Sequence, residues 1–253
     1  MNWIGLQTLI KREMVRTFSI INQVIWPPVI TTLLYVFVFG LALGSRIKQV
    51  QGVPYATFLI PGLIMLQVID GTYGESSSSV FQGRFMQSIQ ELLIAPLSAT
   101  EIVAGYVVAG VLRALFIAAL ITVLGIVFVH TAPVDWGLYL LVIVLVAVLF
   151  SALGIIFGLM AEKFDHIAML TTFGITPLVF VGGVFTSIAF LPPLFARISL
   201  FNPMFHMIDA FRFSYTGHGD VPLPLSLGVV AALAAGSLGG ALAMTTRGYK
   251  LRT

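Results

Sequence analysis

The sequence contains no cysteine, which excludes a disulfide framework, a thiol nucleophile and any thiolate metal site. Its only lysines are Lys11, Lys48, Lys163 and Lys250, and none precedes serine or threonine. The phosphate-cradling loop G-x-x-x-x-G-K-[ST] is therefore missing, so the chain cannot be its own nucleotide-driven motor. No H-E-x-x-H occurs, and the scattered histidines have no metal-ligand spacing. Charge is scarce too: 9% of the 253 residues are charged and 58% are hydrophobic, whereas a soluble domain carries about 25% charged residues. Such a surface cannot be kept wet, and the expected solvent is lipid. The net charge of +3 gives no reason to expect a nucleic-acid partner.

What is present is a series of long charge-free stretches. A membrane-spanning helix needs about 20 mostly apolar residues. The gaps between charges hold six, at roughly 25–44, 55–81, 102–129, 136–160, 168–189 and 225–246. They leave no room for a soluble catalytic domain, so residues 1–253 read as one all-α transmembrane domain. The run 41-LALGS-45 has a faint likeness to a signal-peptide cleavage site. The apolar region before it is too long for a signal core, so the first span is read as retained.

Orientation follows the placement of Lys and Arg. With a cytosolic N-terminus, the inside holds Lys11, Arg12, Arg16, Arg84, Lys163, Arg247, Lys250 and Arg252. The outside holds Arg46, Lys48, Arg197 and Arg212, which places both termini inside. Residues 1–23 carry Trp3, Leu6, Ile10, Met14 and Ile21 on one helical face, with Arg12 and Arg16 on the other. The pattern fits an amphipathic helix in contact with membrane lipid at the interface, or an ordinary flanking helix that anchors the first span.

The longest inside loop is 84–100. Phe85, Ile89, Leu92 and Leu93 are spaced for one face of a short helix, with Arg84, Gln87, Gln90 and Glu91 mostly opposite. Pro96 ends it. Ser98 or Thr100 can then cap the next helix, with Glu101 in its first turn. Pattern alone leaves open whether this loop helix lies on lipid or docks on a protein.

The run 91-ELLIAPLSATEIVAGY-106 resembles the signature loop of ABC-2 type transporter permeases. So do 59-LIPGLI-64 and 200-LFNPMFHMIDAFRFSYTG-217, and the likeness covers nearly the whole chain in order. Within the family it resembles the short permeases of the nodulation-factor and bacterial drug-exporter kind. The resemblance implies a coupling helix within 84–100 that docks on a separate ABC ATPase subunit. It assigns this role to Ile89, Glu91, Leu92, Leu93, Pro96 and Leu97. It also implies that ATP and Mg sit on that partner, with no cofactor in this chain. The working unit would pair two permeases, here a homodimer, in a bacterial inner membrane. Finally, it implies short re-entrant helices at 187–224 that close the outer exit.

The remaining candidates are polar groups within apolar spans. Asp70 and Arg113 each lie 11 residues from the inner ends of their spans, at 81 and 102, so both sit roughly 16 Å deep and are expected to approach each other, directly or through water. The segment 70-DGTYGESSSS-79 is too polar to face lipid. Asp70, Tyr73, Glu75, Ser76, Ser79 and Arg113 are therefore candidates for a translocation path, or for polar packing between helices. In the outer segment, Asn202 and Pro203 break the chain, and Asp209 and Arg212 stand i,i+3, a spacing at which they can pair. His206 is a weaker candidate. Abundant aromatics suit an amphiphilic or lipid-linked substrate of an exporter, and equally suit spans that simply pack in lipid. The alternatives are a gradient-driven secondary transporter, which would show an internal repeat that is not evident here, and a membrane-embedded enzyme. For the enzyme, the serines of 74-GESSSS-79 have no evident partner base.

Overall fold

The computed structural model describes residues 2–43, 49–50, 52–87 and 97–249. Apart from a two-residue antiparallel pair, β1 (Gln49–Val50) with β2 (Val53–Pro54), the elements are helical. Helix α1 (Trp3–Ser19) starts where the Asn2 side chain accepts a hydrogen bond from the Gly5 amide at 3.0 Å, satisfying one orphan donor. After the non-helical Ile20, α2 (Ile21–Tyr35) runs on as a π-helical stretch, Val36–Leu43. Helix α3 (Tyr55–Phe85) is the longest, at 31 residues. Helix α4 (Ala99–Leu124) opens with a capping box in which Ser98 and Glu101 bond reciprocally, and it ends in a π turn, Gly125–Val129. Helix α5 (Trp136–Met160) is capped by Asp135. Helix α6 (Phe164–Val181) contains a π-helical stretch at Leu170–Ile175. Two shorter helices follow, α7 (Pro193–Phe201) and α8 (Pro203–Thr216), and then α9 (Leu223–Thr246).

Six of these helices are long and apolar enough to cross a membrane: α2 with the start of its π extension, α3, α4 with its π turn, α5, α6 and α9. Each corresponds to one expected span. The fifth differs most at its outer end, because the chain turns at Gly182–Gly183, where Gly183 adopts φ +93, a conformation that costs glycine little.

Helices α3 and α5 form the centre, flanked by α4, α8 and α9. Their closest approach is a seam of small residues. A Cβ on Gly154 would lie 2.7 Å from Ser76 Cβ, and one on Gly158 would lie 2.7 Å from the Ser77 carbonyl oxygen. Gly154 and Gly158 form a G-x-x-x-G pair, which lets helix backbones come together where lipid offers no hydrophobic drive for association. The peripheral α2 and α6 present Trp26, Ile30, Phe37, Met169 and Phe173 outward, as surfaces in hydrocarbon should.

Helix α1 departs from the expected amphipathic layout. Its buried stripe is Leu6, Leu9, Glu13 and Thr17, packed on α4, while Trp3, Ile4, Val15 and Phe18 are exposed. Gly105 of α4 makes room for Leu9, whose Cδ2 would lie 2.5 Å from a Cβ there. The face against protein is thus partly polar, and tertiary packing has set its direction.

Candidate functional site

The polar stripe of α1 is one side of a buried network. Glu13, 2% exposed, accepts a 2.7 Å hydrogen bond from the Ser79 hydroxyl of α3. It is also paired with Arg12 at 3.3 Å and Arg16 at 3.4 Å. Arg16 reaches on to α3, donating to the Glu75 carboxylate and the Glu75 backbone carbonyl, each at 3.2 Å. Arg12 donates to Tyr106 of α4, and Arg113 of α4 donates twice to Thr17, at 2.9 and 3.1 Å. Within a low-dielectric interior such charges persist only when mutually satisfied. The network therefore fixes α1 to α3 and α4.

Asp70 and Arg113 form no direct ion pair. Among the described residues the ion pairs are Arg12–Glu13, Arg16–Glu13 and Arg16–Glu75, and Arg113 turns to Thr17 instead. Equal depth did not guarantee contact. At 100° per residue, Asp70 and Glu75 point about 140° apart on α3, so only one of them can face α1.

The six intramembrane candidates accordingly separate into three settings. Tyr73 and Ser76 are buried where α3 meets α5: Tyr73 stands edge-on to Phe157, and Ser76 abuts Gly154. Ser79 and Arg113 belong to the α1 network. Asp70 and Glu75, with Ser78, line a groove of about 360 Å³ between α3 and α6, whose other wall includes Thr171 and Thr172.

Of the loop candidates, Ile89, Glu91, Leu92, Leu93 and Pro96 lie outside the described residues. Leu97 is half-buried against the start of α1, its Cδ2 2.7 Å from where a Cβ on Gly5 would be. Both ends of the loop are fastened. On the α3 side, Arg84 donates to the carbonyls of Gly158, Leu159 and Ala161 at 2.7 to 3.1 Å. It thus caps the end of α5, where the helix dipole favours a cation. On the α4 side, the Glu101 carboxylate accepts from the backbone amides of Ser98 and Asn2, tying α4 to α1.

In the segment before α9, Asn202 caps α8 through the Met204 amide and donates to the Leu178 carbonyl of α6 at 2.6 Å, with Pro203 in the first turn. Asp209 and Arg212 do not pair with each other. Asp209 accepts from the Asp220 amide at 2.7 Å and, at 3.5 Å, from Ser226. Arg212, fully buried, donates to the Gly183 carbonyl at 2.6 Å and stacks 3.7 Å over the Phe58 ring. Burial raises the Asp209 carboxyl from its ordinary value. Burial likewise lowers the Arg212 guanidinium to about 10, which leaves it a cation at neutral pH. His206 bonds Ser226 and the Leu200 carbonyl.

These features lie on one continuous stretch, from α1 to α8, and the ABC-2 type transporter family model matches residues 5–215. The chain belongs to the ABC-2 type transporter family. It is 41% identical over 228 residues to the inner membrane transport permease YadH of Escherichia coli K12, covering 90% of this chain and 89% of that one. It is 29% identical over 202 residues to nodulation protein J of Rhizobium leguminosarum bv. viciae, covering 78% and 76%. With nodulation protein J of Rhizobium leguminosarum bv. trifolii it shares 27% over 188 residues, covering 74% and 71%.

For this ABC-2 type member, three features were not anticipated from sequence. Glu13 and Thr17 were hidden inside a basic helix read for its apolar face, although Leu6, Leu9, Glu13 and Thr17 follow helical spacing. The carbonyls that Arg84 gathers have no sequence signal. The hydroxyls of Thr122, Tyr139 and Tyr215 meet at 2.9 Å and come from three separate helices.

Proposed function

We propose that the chain is the permease subunit of an ATP-driven exporter, lying in a bacterial inner membrane with both termini cytoplasmic. An ABC ATPase partner follows in general from family membership. ATP and Mg bind on that separate chain, the 84–100 loop receives its motion, and a second copy of the permease completes the path. The cargo is an amphiphile or lipid-linked molecule. ATP closes the ATPase pair, the loops move, and the spans repack toward an outward-open state that nucleotide binding favours over the resting one.

The observation that carries this reading is the fastening of both ends of the loop. Arg84 holds the α3 end to α5, and Glu101 holds the α4 end to α1. A push delivered to these two ends therefore passes into four helices at once. The family match over residues 5–215 supplies the class of motor, and the relative named an inner membrane transport permease supports the location.

The test is to isolate the tagged protein from membranes and ask whether an ATPase subunit accompanies it. The comparison is a Glu91→Arg, Leu92→Asp variant that still inserts. Co-purification is expected with the native chain and not with the variant. If no ATPase accompanies the native chain, the reading fails.

A further inference from the structure

We infer that the groove between α3 and α6 accepts a cationic amphiphile and that Asp70 selects its charge. The inference rests on the permease reading and names a substrate class for that path.

The two carboxylates of the groove are not equivalent. Glu75 is answered by Arg16 at 3.2 Å. Asp70 is exposed and lines the groove, and among the described residues no side chain forms an ion pair with it. It is also the midpoint of α3, 15 residues from Tyr55 and 15 from Phe85. A carboxylate at that depth in a bilayer is costly and calls for a partner. Among the described residues none answers it, so the compensating charge comes from what enters the groove.

The rest of the wall fits such a guest. Ser78, Thr171 and Thr172 add hydroxyls to the same groove, and Phe164 and Ile167 offer apolar surface for a hydrocarbon body. Thr171 and Thr172 both lie in the π-helical stretch of α6, a backbone departure that recurs at functional sites. The volume of about 360 Å³ is near the lower end of the range for ligand pockets. It suits one compact cationic group, not a chain of sugars.

Two isosteric probes of opposite charge, tetraphenylphosphonium and tetraphenylborate, separate charge from shape. Equilibrium binding would be measured on the full-length protein in lipid nanodiscs, with whatever subunits accompany it. Tetraphenylphosphonium is expected to bind saturably, and Asp70→Asn to weaken it about 10- to 100-fold, as loss of a charge–charge attraction across roughly 6 Å at an effective dielectric near 20 does. Asp70→Glu should retain binding. Gly74 lines the groove and has nothing within 4 Å of a Cβ. Gly74→Leu should therefore fill the space and abolish binding while leaving the fold and Asp70 in place. Equal binding of tetraphenylborate would overturn the inference, as would an Asp70→Asn effect below twofold. Dissociation of a permease pair by Asp70→Asn would also overturn it, by making the carboxylate a subunit contact. The ATPase pull-down reads the permease assignment separately: a chain that binds the cation but no ATPase keeps this inference and loses that one.

Discussion

Glu13 is the residue on which the docking of α1 most depends, and its removal has a calculable cost. Breaking one partner out of a buried ion pair costs about 3–5 kcal/mol. Arg12 and Arg16 keep 45% and 28% of their side-chain exposure, so water recovers much of their share, which falls toward the surface value of under about 1 kcal/mol. The Ser79 hydroxyl is buried and would lose its acceptor, at about 1–3 kcal/mol. Together these give about 2–3 kcal/mol for Glu13→Ala, or about a 30- to 150-fold rise in the population with α1 undocked. Amide hydrogen exchange over residues 5–17, followed by mass spectrometry on nanodisc-embedded protein, reads that population directly when opening is fast and reversible. Glu13→Gln should lose less, because its amide oxygen still accepts from Ser79. Ser79→Ala should add little on top of Glu13→Ala, since both delete the same bond. An exchange change below threefold, or strictly additive effects of the two substitutions, would refute the argument.

Other substitutions probe the remaining contacts. Arg84→Ala uncaps three carbonyls of α5 and should lower stability by about 1–3 kcal/mol, read as a lower melting temperature of the purified protein. Gly154→Leu drives a side chain into Ser76 and the α3 backbone and should prevent a stable fold. Gly236→Ala, with nothing within 4 Å, should be silent or slightly stabilising; size-exclusion profiles distinguish the two. Thr122→Val strands the hydroxyls of both Tyr139 and Tyr215, so its thermal destabilisation should exceed that of Tyr139→Phe.

The spans were legible because lipid imposes a length and a composition that a sequence states directly. The gap from Arg113 to Asp135 predicted a helix ending near 129, and the helix with its π turn ends at Val129. Ser98 was one of the two cap candidates for α4, and the structure selects it, with Glu101 three residues on closing the box. Azimuth was not legible. Asp70 and Arg113 share a depth, yet which way each side chain faces is decided by how α3, α4 and α1 rotate against one another. The same holds for Asp209 and Arg212: correct i,i+3 spacing lost to better partners, the Asp220 amide and the Gly183 carbonyl, brought in by turns remote in sequence. The serines of α3 illustrate the third limit. A polar run reads alike whether it lines a passage or admits a glycine, and Ser76 against Gly154 does the latter.

The length of α3 carries a mechanical consequence. Its 31 residues measure about 46 Å, while the hydrocarbon layer is about 30 Å thick. Even at the steepest tilt common for such helices, about 40°, the projection is about 35 Å, so part of the helix stands clear of the acyl chains. The end bearing Arg84 is the lower arm of a lever whose fulcrum is the glycine seam with α5. Rocking the helix by about 5° about that seam, which lies roughly 12 Å from Phe85, carries that end by about 1 Å. Small rotations within the bilayer and ångström-scale strokes at the membrane surface are thus exchanged by a single continuous helix.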